Sequence, residues 1–351
     1  MSSHTCDVVR VKLEKHPNAD RLSLVKVFGW TCAVRTEDWK DGDHAAFIPP
    51  DSLVDTRRSE FAFLANWPGK SRADGWARIT AQKLRGVVSY GLLVPTKLEL
   101  GMDAAGDLGV IHYEPPEYGS GGKSRPYRAG DTERGQPDQF VPVYDVENIQ
   151  RLDEPITGEV LVTEKIHGAN ARFLWDGKRF WVGSRKQWKR RNRKLSLWQR
   201  IKSWFGAPLP PPDSDWWRVF EKYPGIGRLL KHFPGDTLFG EVYGTQHLRY
   251  GLAPGQVDFV VFDLLSGRDG WTPEHGKWAP QELTLGLCDD YKIPFVPFVA
   301  KKPIEDLDLL ALAQGKSLLG GDHLREGIVV QAVGRRAIAK VVNPEYLIKG
   351  E

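Results

Sequence analysis

The chain is poor in cysteine, with three in 351 residues, Cys6, Cys32 and Cys288, each far from the others. That scatter offers no close pair for a zinc site and no disulfide framework, so a reducing, cytoplasmic location is the expectation. Long apolar runs are missing as well. None approaches the roughly 20 residues that span a bilayer. The opening "MSSHTCDVVRVKLEKH" lacks the apolar stretch of a signal peptide. Acidic residues are absent from residues 177–212, which nevertheless hold eleven Lys and Arg. The net charge of +4 thus hides a basic segment within an otherwise acidic chain. Trp181, Trp188, Trp198 and Trp204 are interleaved with those cations. Charge for phosphates and rings for stacking suit nucleic acid. The alternative is a solvated basic helix whose tryptophans pack inward.

The length favours two domains, and the 41% hydrophobic content is ordinary for a globular protein. Residues 7–113 read as short strands broken by turns such as "HPNADR" and "KDGD", the pattern of a small barrel. His16, Pro17 and Asp20 read as builders of the first turn. Residues 114–139, rich in Gly, Pro and charge, read as a linker or mobile loop. From Phe140 the character becomes α+β. Strand-like runs fall at 159–164, 171–182, 237–243, 257–264, 327–333 and 337–342. "SLWQRIKSWFG" (196–206) and "PIEDLDLLALAQGKSLLG" (303–320) read as helices.

Several of these strands carry charge or rings where apolar packing is expected. "VLVTEKIHGANARF" ends a β-run with Lys165 just before the breaker Gly168. "DTLFGEVYG" carries Glu241, "VDFVVFDLL" carries Phe262 and Asp263, "REGIVVQ" opens on Glu326, and "AIAKVVN" places Lys340 in an apolar strand. One such residue alone is explained by a buried ion pair. All of them, in this order, ask for a common purpose.

In order and spacing these stretches resemble the motifs of the covalent nucleotidyltransferases, the ATP-dependent DNA and RNA ligases and the mRNA capping enzymes. "EKIHGAN" resembles the lysine-nucleophile motif and "GSRK" the next. "FGEVYG", "FVVFDLL", "REGIVVQ" and "AIAKVV" resemble those that follow. Histidine after "EKI" and "GAN" after it are similar to phage-type RNA ligases rather than to DNA ligases. "HPNADRLSLVKV" and "KLRGVVSYGLLVP" resemble pieces of tRNA-binding OB-fold domains. An OB-like domain before a ligase core resembles the Deinococcus-type RNA ligases. The resemblance implies an α+β chain. An OB-like β-barrel over 1–113 binds nucleic acid, and 140–351 form an adenylyltransferase domain of antiparallel sheets with flanking helices. The sequence ends eleven residues after Lys340, without the C-terminal OB domain of DNA ligases and capping enzymes. The last motif often has two lysines as K-x-K; here there is one.

The implied chemistry is attack by a lysine amine on the α-phosphate of ATP, giving lysyl-AMP and pyrophosphate. AMP then passes to a 5′-phosphate, and a 3′-OH displaces it. Free lysine, near pKa ~10.4, is almost wholly charged at pH 7, so burial, nearby cations or metal must favour the neutral amine. By resemblance Lys165 is the nucleophile. Glu326 and Glu241 serve Mg²⁺ or Mn²⁺ or the ribose. Phe262, directly before Asp263, stacks on adenine in preference to Phe259. Glu164 lies beside the nucleoside, Arg185 and Lys186 contact phosphates, and Lys340 contacts the α-phosphate. His167 and Asn170 act near the leaving group or the incoming strand. Asp263 supports the fold. The expected partner is a nicked duplex with an RNA 3′-OH strand, met by a monomer away from membranes. The rival readings are another enzyme of the superfamily and an RNA-binding protein with an inactive ligase-like core.

Overall fold

A computed structural model describes residues 4–66, 74–113, 131–192, 198, 201, 204–205, 212–244, 248–267 and 277–349. They group into two compact units. The smaller holds the described residues up to 113, Glu147–Asp153 and the short helix Pro344–Lys349; the larger holds those from 131 to Val146 and Glu154–Asn343. Residues 147–153 and the final helix therefore belong with the smaller unit, although both lie beyond residue 140.

In the smaller unit every strand pairing is antiparallel. The strand His44–Ile48 lies between Val8–Arg10 and Leu92–Pro95. Ala45 and Phe47 enter one core with Val25, Trp30 and Cys32, while Ala46 and Ile48 enter another with Val8, Val54 and Phe61. Burial on both faces explains why "AAFI" reads as a continuous apolar run rather than an alternation. His16 is buried and accepts the Asn18 N–H on Nδ1 at 3.0 Å, so it does shape its turn. Lys12, Lys15, Arg21, Lys26 and Arg35 are exposed on this unit.

The larger unit contains two four-stranded antiparallel sheets. The first runs Phe298–Pro303, Glu159–Lys165, Gly327–Ala332, Ile338–Val342 across its width. The second runs Phe180–Ser184, Ala169–Trp175, Thr237–Tyr243, Asp258–Leu265. One face of the second sheet contributes Ala171, Phe173, Leu238, Val242, Phe259 and Val261 to the main core. Helices Asp215–Lys222, Pro224–His232 and Gln281–Tyr291 cover that core. Trp216 and Val219 of the first helix, and Ile226, Leu229 and Leu230 of the second, recur at helical spacing and point inward. Pro224 opens its helix where a missing N–H is harmless.

Several elements differ from the sequence expectation. The run 171–182 is two strands, because Gly177 (φ +91°) and Asp176, whose carboxylate accepts the N–H groups of Lys178 and Arg179, turn the chain. The stretch 303–320 is not one helix. It holds a 3₁₀ turn, Ile304–Asp306, and a five-residue helix, Leu309–Ala313, capped by Asp308 and followed by Gly315 at φ +99°. Most of the expected helix 196–206, and residues 114–130 of the expected linker, lie outside the described residues. In the basic segment Trp181 and Trp188 are packed inward, whereas Trp198 and Trp204 are exposed. Inward packing therefore holds for Trp181 and Trp188 and not for Trp198 and Trp204.

The chain crosses from one sheet to the other within "EKIHGAN". Lys165 ends a strand of the first sheet and Ala169 begins one of the second. At this crossing a Cβ on Gly168 would lie 2.3 Å from Val242 O and 3.0 Å from Glu241 Cγ. Only glycine passes there. Gly168→Ala should destabilise the larger unit by roughly 1–3 kcal/mol, the usual cost of overpacking, as read by denaturant unfolding. An unchanged midpoint would show that the crossing is not so tight.

Candidate active site

The two sheets flank a cavity of about 230 Å³. Its lining includes Glu164, Lys165, Asn170, Arg185, Glu241, Phe262 and Lys340. Strand register explains the first sheet's share. Lys165 pairs with Gly327, Thr163 with Val329, and Val329 with Lys340. Cross-strand partners point to the same face, so Lys165, Thr163, Val329 and Lys340 share one side. Glu326 immediately precedes Gly327, and its Oε1 accepts a hydrogen bond from Lys165 Nζ at 2.5 Å. His167 Nδ1 stands 3.6 Å from Glu326 Oε2. The pleat turns the Glu164 carboxylate to the opposite face from Lys165. There its Oε2 accepts the Leu318 N–H at 2.7 Å and lies 4.0 Å from Arg325 Nε.

The second sheet reaches the cavity through an irregularity. Phe239 pairs with Asp263, but the next residue, Gly240, pairs with Val261. Phe262 is thus the extra residue of a β-bulge. A bulge turns two successive side chains to one side. Phe259 and Val261 enter the core before it, Leu264 enters after it, and Phe262 lines the cavity. Asp263, fully buried, accepts from Tyr144 Oη at 2.8 Å and Arg336 Nη2 at 2.7 Å. The Tyr144 ring lies 4.7 Å from that of Phe262. Asn170 and Glu241 face each other across paired strands.

The RNA ligase profile matches residues 158–342, more than half of the 351 residues. The chain belongs to the RNA ligase family. An OB-fold domain profile matches residues 6–96. Among curated proteins no relative matches. Solved structures of Naegleria gruberi RNA ligase share the fold. A variant with ATP and Mn has a TM-score of 0.75 at 19% identity, covering 97% of each chain. The structure with PPi has 0.75 at 19%, covering 98% of each. A variant with AMP and Mn has 0.77 at 19%, again covering 98% of each.

Lys186 of this RNA ligase stands apart from the other expected residues. It lines a second cavity with Arg172, Trp188 and Phe140 rather than the cavity of Lys165. Its neighbour Arg185 does line the first, 3.2 Å from Asp145 Oδ2. The sequence reading missed Tyr144, Asp145, Arg336, Gln281 and Tyr250. Tyr250 is buried and accepts the His167 N–H on its hydroxyl at 2.6 Å, which fixes the crossing loop. A Tyr-Asp pair inside the otherwise unpatterned "FVPVYDVEN" was the available signal for the first two. Gln281 carried none.

The carboxyl groups of Glu241 and Glu326 are driven apart. Burial works against the charge of Glu326, but Lys165 and then His167 outweigh it and hold the carboxyl at about 2. Burial pushes Glu241 up to about 8; Lys165 opposes this and the charge of Glu326 adds to it. The signs for stability are opposite. Glu241 favours the fold fully below its ordinary value of 4.5, and this is lost as pH rises through about 8. Glu326 favours the fold above 4.5, and this is lost as pH falls towards about 2. In chelated, metal-free buffer, Glu241→Gln should therefore gain on the parent in Tm from pH 5 to pH 8.5, by on the order of 5 °C. Glu326→Gln should show its largest deficit near neutrality. A Glu241→Gln advantage that does not grow with pH would contradict the assignment.

Proposed function

We propose that this member of the RNA ligase family uses ATP to join a 3′-OH to a 5′-phosphate, through lysyl-AMP and RNA-adenylate, at nicks held by a template strand. The observation that carries the proposal is the convergence of Lys165, Lys340 and Phe262 from separate strands around one cavity, with Glu326 held against Lys165. A buried ion pair needs two of these residues, not an aromatic platform and a second lysine. The ATP and Mn of the Naegleria gruberi ligase structures, which share this fold, support the same reading.

In the first step the Lys165 Nζ lone pair forms a bond to the α-phosphorus. The bond from that phosphorus to the bridging oxygen breaks, pyrophosphate leaves with its electron pair, and Nζ loses a proton. Lys340 and Arg185 stand where charge gathers on phosphate oxygens. Phe262 offers its face to adenine, and Asn170 lies toward the leaving group. His167 holds Glu326 from behind. Before attack, Lys165 must give up its bond to Glu326, since that carboxylate favours the ammonium form.

The residues present fit a divalent cation. Glu326 Oε2 and Asn170 Oδ1 are buried with no hydrogen bond among the described residues, and two carboxylates with an amide oxygen suit Mg²⁺ or Mn²⁺. Glu326 and Glu241 would hold it, supplying positive charge that competes with Lys165 for the carboxylates and stabilises charge on phosphorus.

A division of labour follows. Residues 140–351 carry the chemistry, and the barrel of residues 1–113 grips the nucleic acid through its exposed cations. No helix among the described residues is long and apolar enough to cross a membrane; we place the enzyme in the cytoplasm as a monomer.

Incubation with ATP labelled at the α-phosphate tests the proposal. The parent should acquire covalent AMP through an alkali-stable, acid-labile P–N bond, and Lys165→Ala should lose it by at least about 10³-fold, as expected for removal of a nucleophile. A labelled Lys165→Ala would refute the nucleophile, and an unlabelled parent would favour a binding protein with an inert core. Replacing Lys12, Lys15, Arg21, Lys26 and Arg35 with Ala should spare labelling yet weaken duplex binding. The slope of log affinity against log salt should then fall by roughly 0.7–0.9 for each phosphate that is no longer neutralised. An unchanged slope would place the duplex elsewhere.

A further inference from the structure

We infer that Gln281 is the residue that selects the base, by accepting a hydrogen bond from the 6-amino group of adenine. The inference rests on the nucleotide reading of the cavity. Gln281 opens the helix Gln281–Tyr291, lines the cavity and is 7% exposed. Its Nε2 donates to the Phe262 backbone carbonyl at 2.8 Å and to Gln331 Oε1 at 2.7 Å. A carbonyl can only accept, so the contact with Phe262 decides which end of the Gln281 amide is nitrogen. Oε1 is left over. It is buried and has no hydrogen bond among the described residues.

Strand register places this acceptor at the end of the cavity away from the nucleophile. Lys165 pairs with Gly327, while Gln331, the partner of Gln281, pairs with Leu161. That is four residues down the strand, or roughly 13 Å at about 3.3 Å per residue. Thr163 and Val329 lie between them, and Ile338, level with Gln331, Val296 and Phe262 also line the cavity. A nucleotide whose phosphate lies at Lys165 and whose base lies on Phe262 presents its far edge to Gln281. A buried acceptor there asks for a donor. Adenine offers its 6-amino group. A 6-oxopurine offers Gln281 Oε1 a second acceptor and leaves both lone pairs opposed; Gln331 Nε2, a buried donor with no hydrogen bond among the described residues, does not line the cavity. Two other lining residues have a buried acceptor with no hydrogen bond among the described residues: Asn170 Oδ1 lies at the Glu241 end by register, and Glu164 Oε1 belongs to a side chain on the opposite face of its strand from Lys165 and Thr163. Because one amide both supports the Phe262 backbone and meets the base edge, platform and selector are fixed together.

The test measures covalent nucleotide transfer to the full chain, by intact mass, from ATP, purine riboside triphosphate and inosine triphosphate. The parent should prefer ATP to the purine analogue by about 10- to 100-fold, the cost of leaving a buried acceptor unpaired, and should reject inosine triphosphate at least as strongly. Gln281→Met should narrow both ratios to within about threefold, whatever its absolute rate. Equal use of ATP and purine riboside triphosphate by the parent would overturn the proposal without any variant, so misfolding of Gln281→Met cannot rescue it. A Gln281→Met enzyme slowed equally with all three, its ratios intact, would reduce Gln281 to a support for Phe262 and also overturn it. A parent labelled by none of the three would instead sink the enzymatic reading of the cavity.

Discussion

The contact between Lys165 and Glu326 is the constraint on which the cavity depends. The two residues are 161 positions apart in the chain, and a ladder of paired strands brings them to 2.5 Å. Because strand side chains alternate, a slip of one residue would send Lys165 to the face now occupied by Glu164. Register is protected by Val160, Val162, Ile328 and Val330, all buried on the opposite face. Hydrophobic burial on one side of a sheet thus positions charge on the other. The ion pair also holds the lysine in reserve, since an amine that donates to a carboxylate is not yet a nucleophile.

The same economy governs the carboxylates. Glu241 and Glu326 come from different sheets and cannot both be charged cheaply in so dry a space. The cation of Lys165 settles which one is ionised, and Glu326, in direct contact, takes the charge. A third carboxylate, Asp263, is taken up wholly by Tyr144 and Arg336 and braces the wall behind Phe262. Three acids of similar intrinsic strength thereby hold different positions, set by their neighbours.

Much of this was legible in the sequence because strands have a rigid period. A charge in an apolar strand must point somewhere polar, and Lys165, Glu241, Glu326 and Lys340 were found on that ground together with a family resemblance. The misses have physical causes. Lys186 follows Arg185 in a bend just beyond the strand Phe180–Ser184, where no strand period predicts the direction of a side chain, and it lines a different cavity. "DLDLLALAQ" has helical composition, but the Asp308 cap and Gly315 confine the helix to five residues. Gln281 owes its place to partners 19 and 50 residues away, and no local pattern announces a contact of that range. The barrel was recognisable from its turns. That one of its strands serves two cores showed only in three dimensions.

The bulge at Phe262 bears on how such a cavity can arise. Take that residue away and Val261 would be followed directly by Asp263 and Leu264. The alternation would then run unbroken, with Asp263 still on the cavity side and Leu264 still in the core. The aromatic ring is therefore an insertion into a strand that is complete without it. A lineage could gain or lose this platform by a single inserted or deleted codon, leaving every other residue of the sheet on its present face.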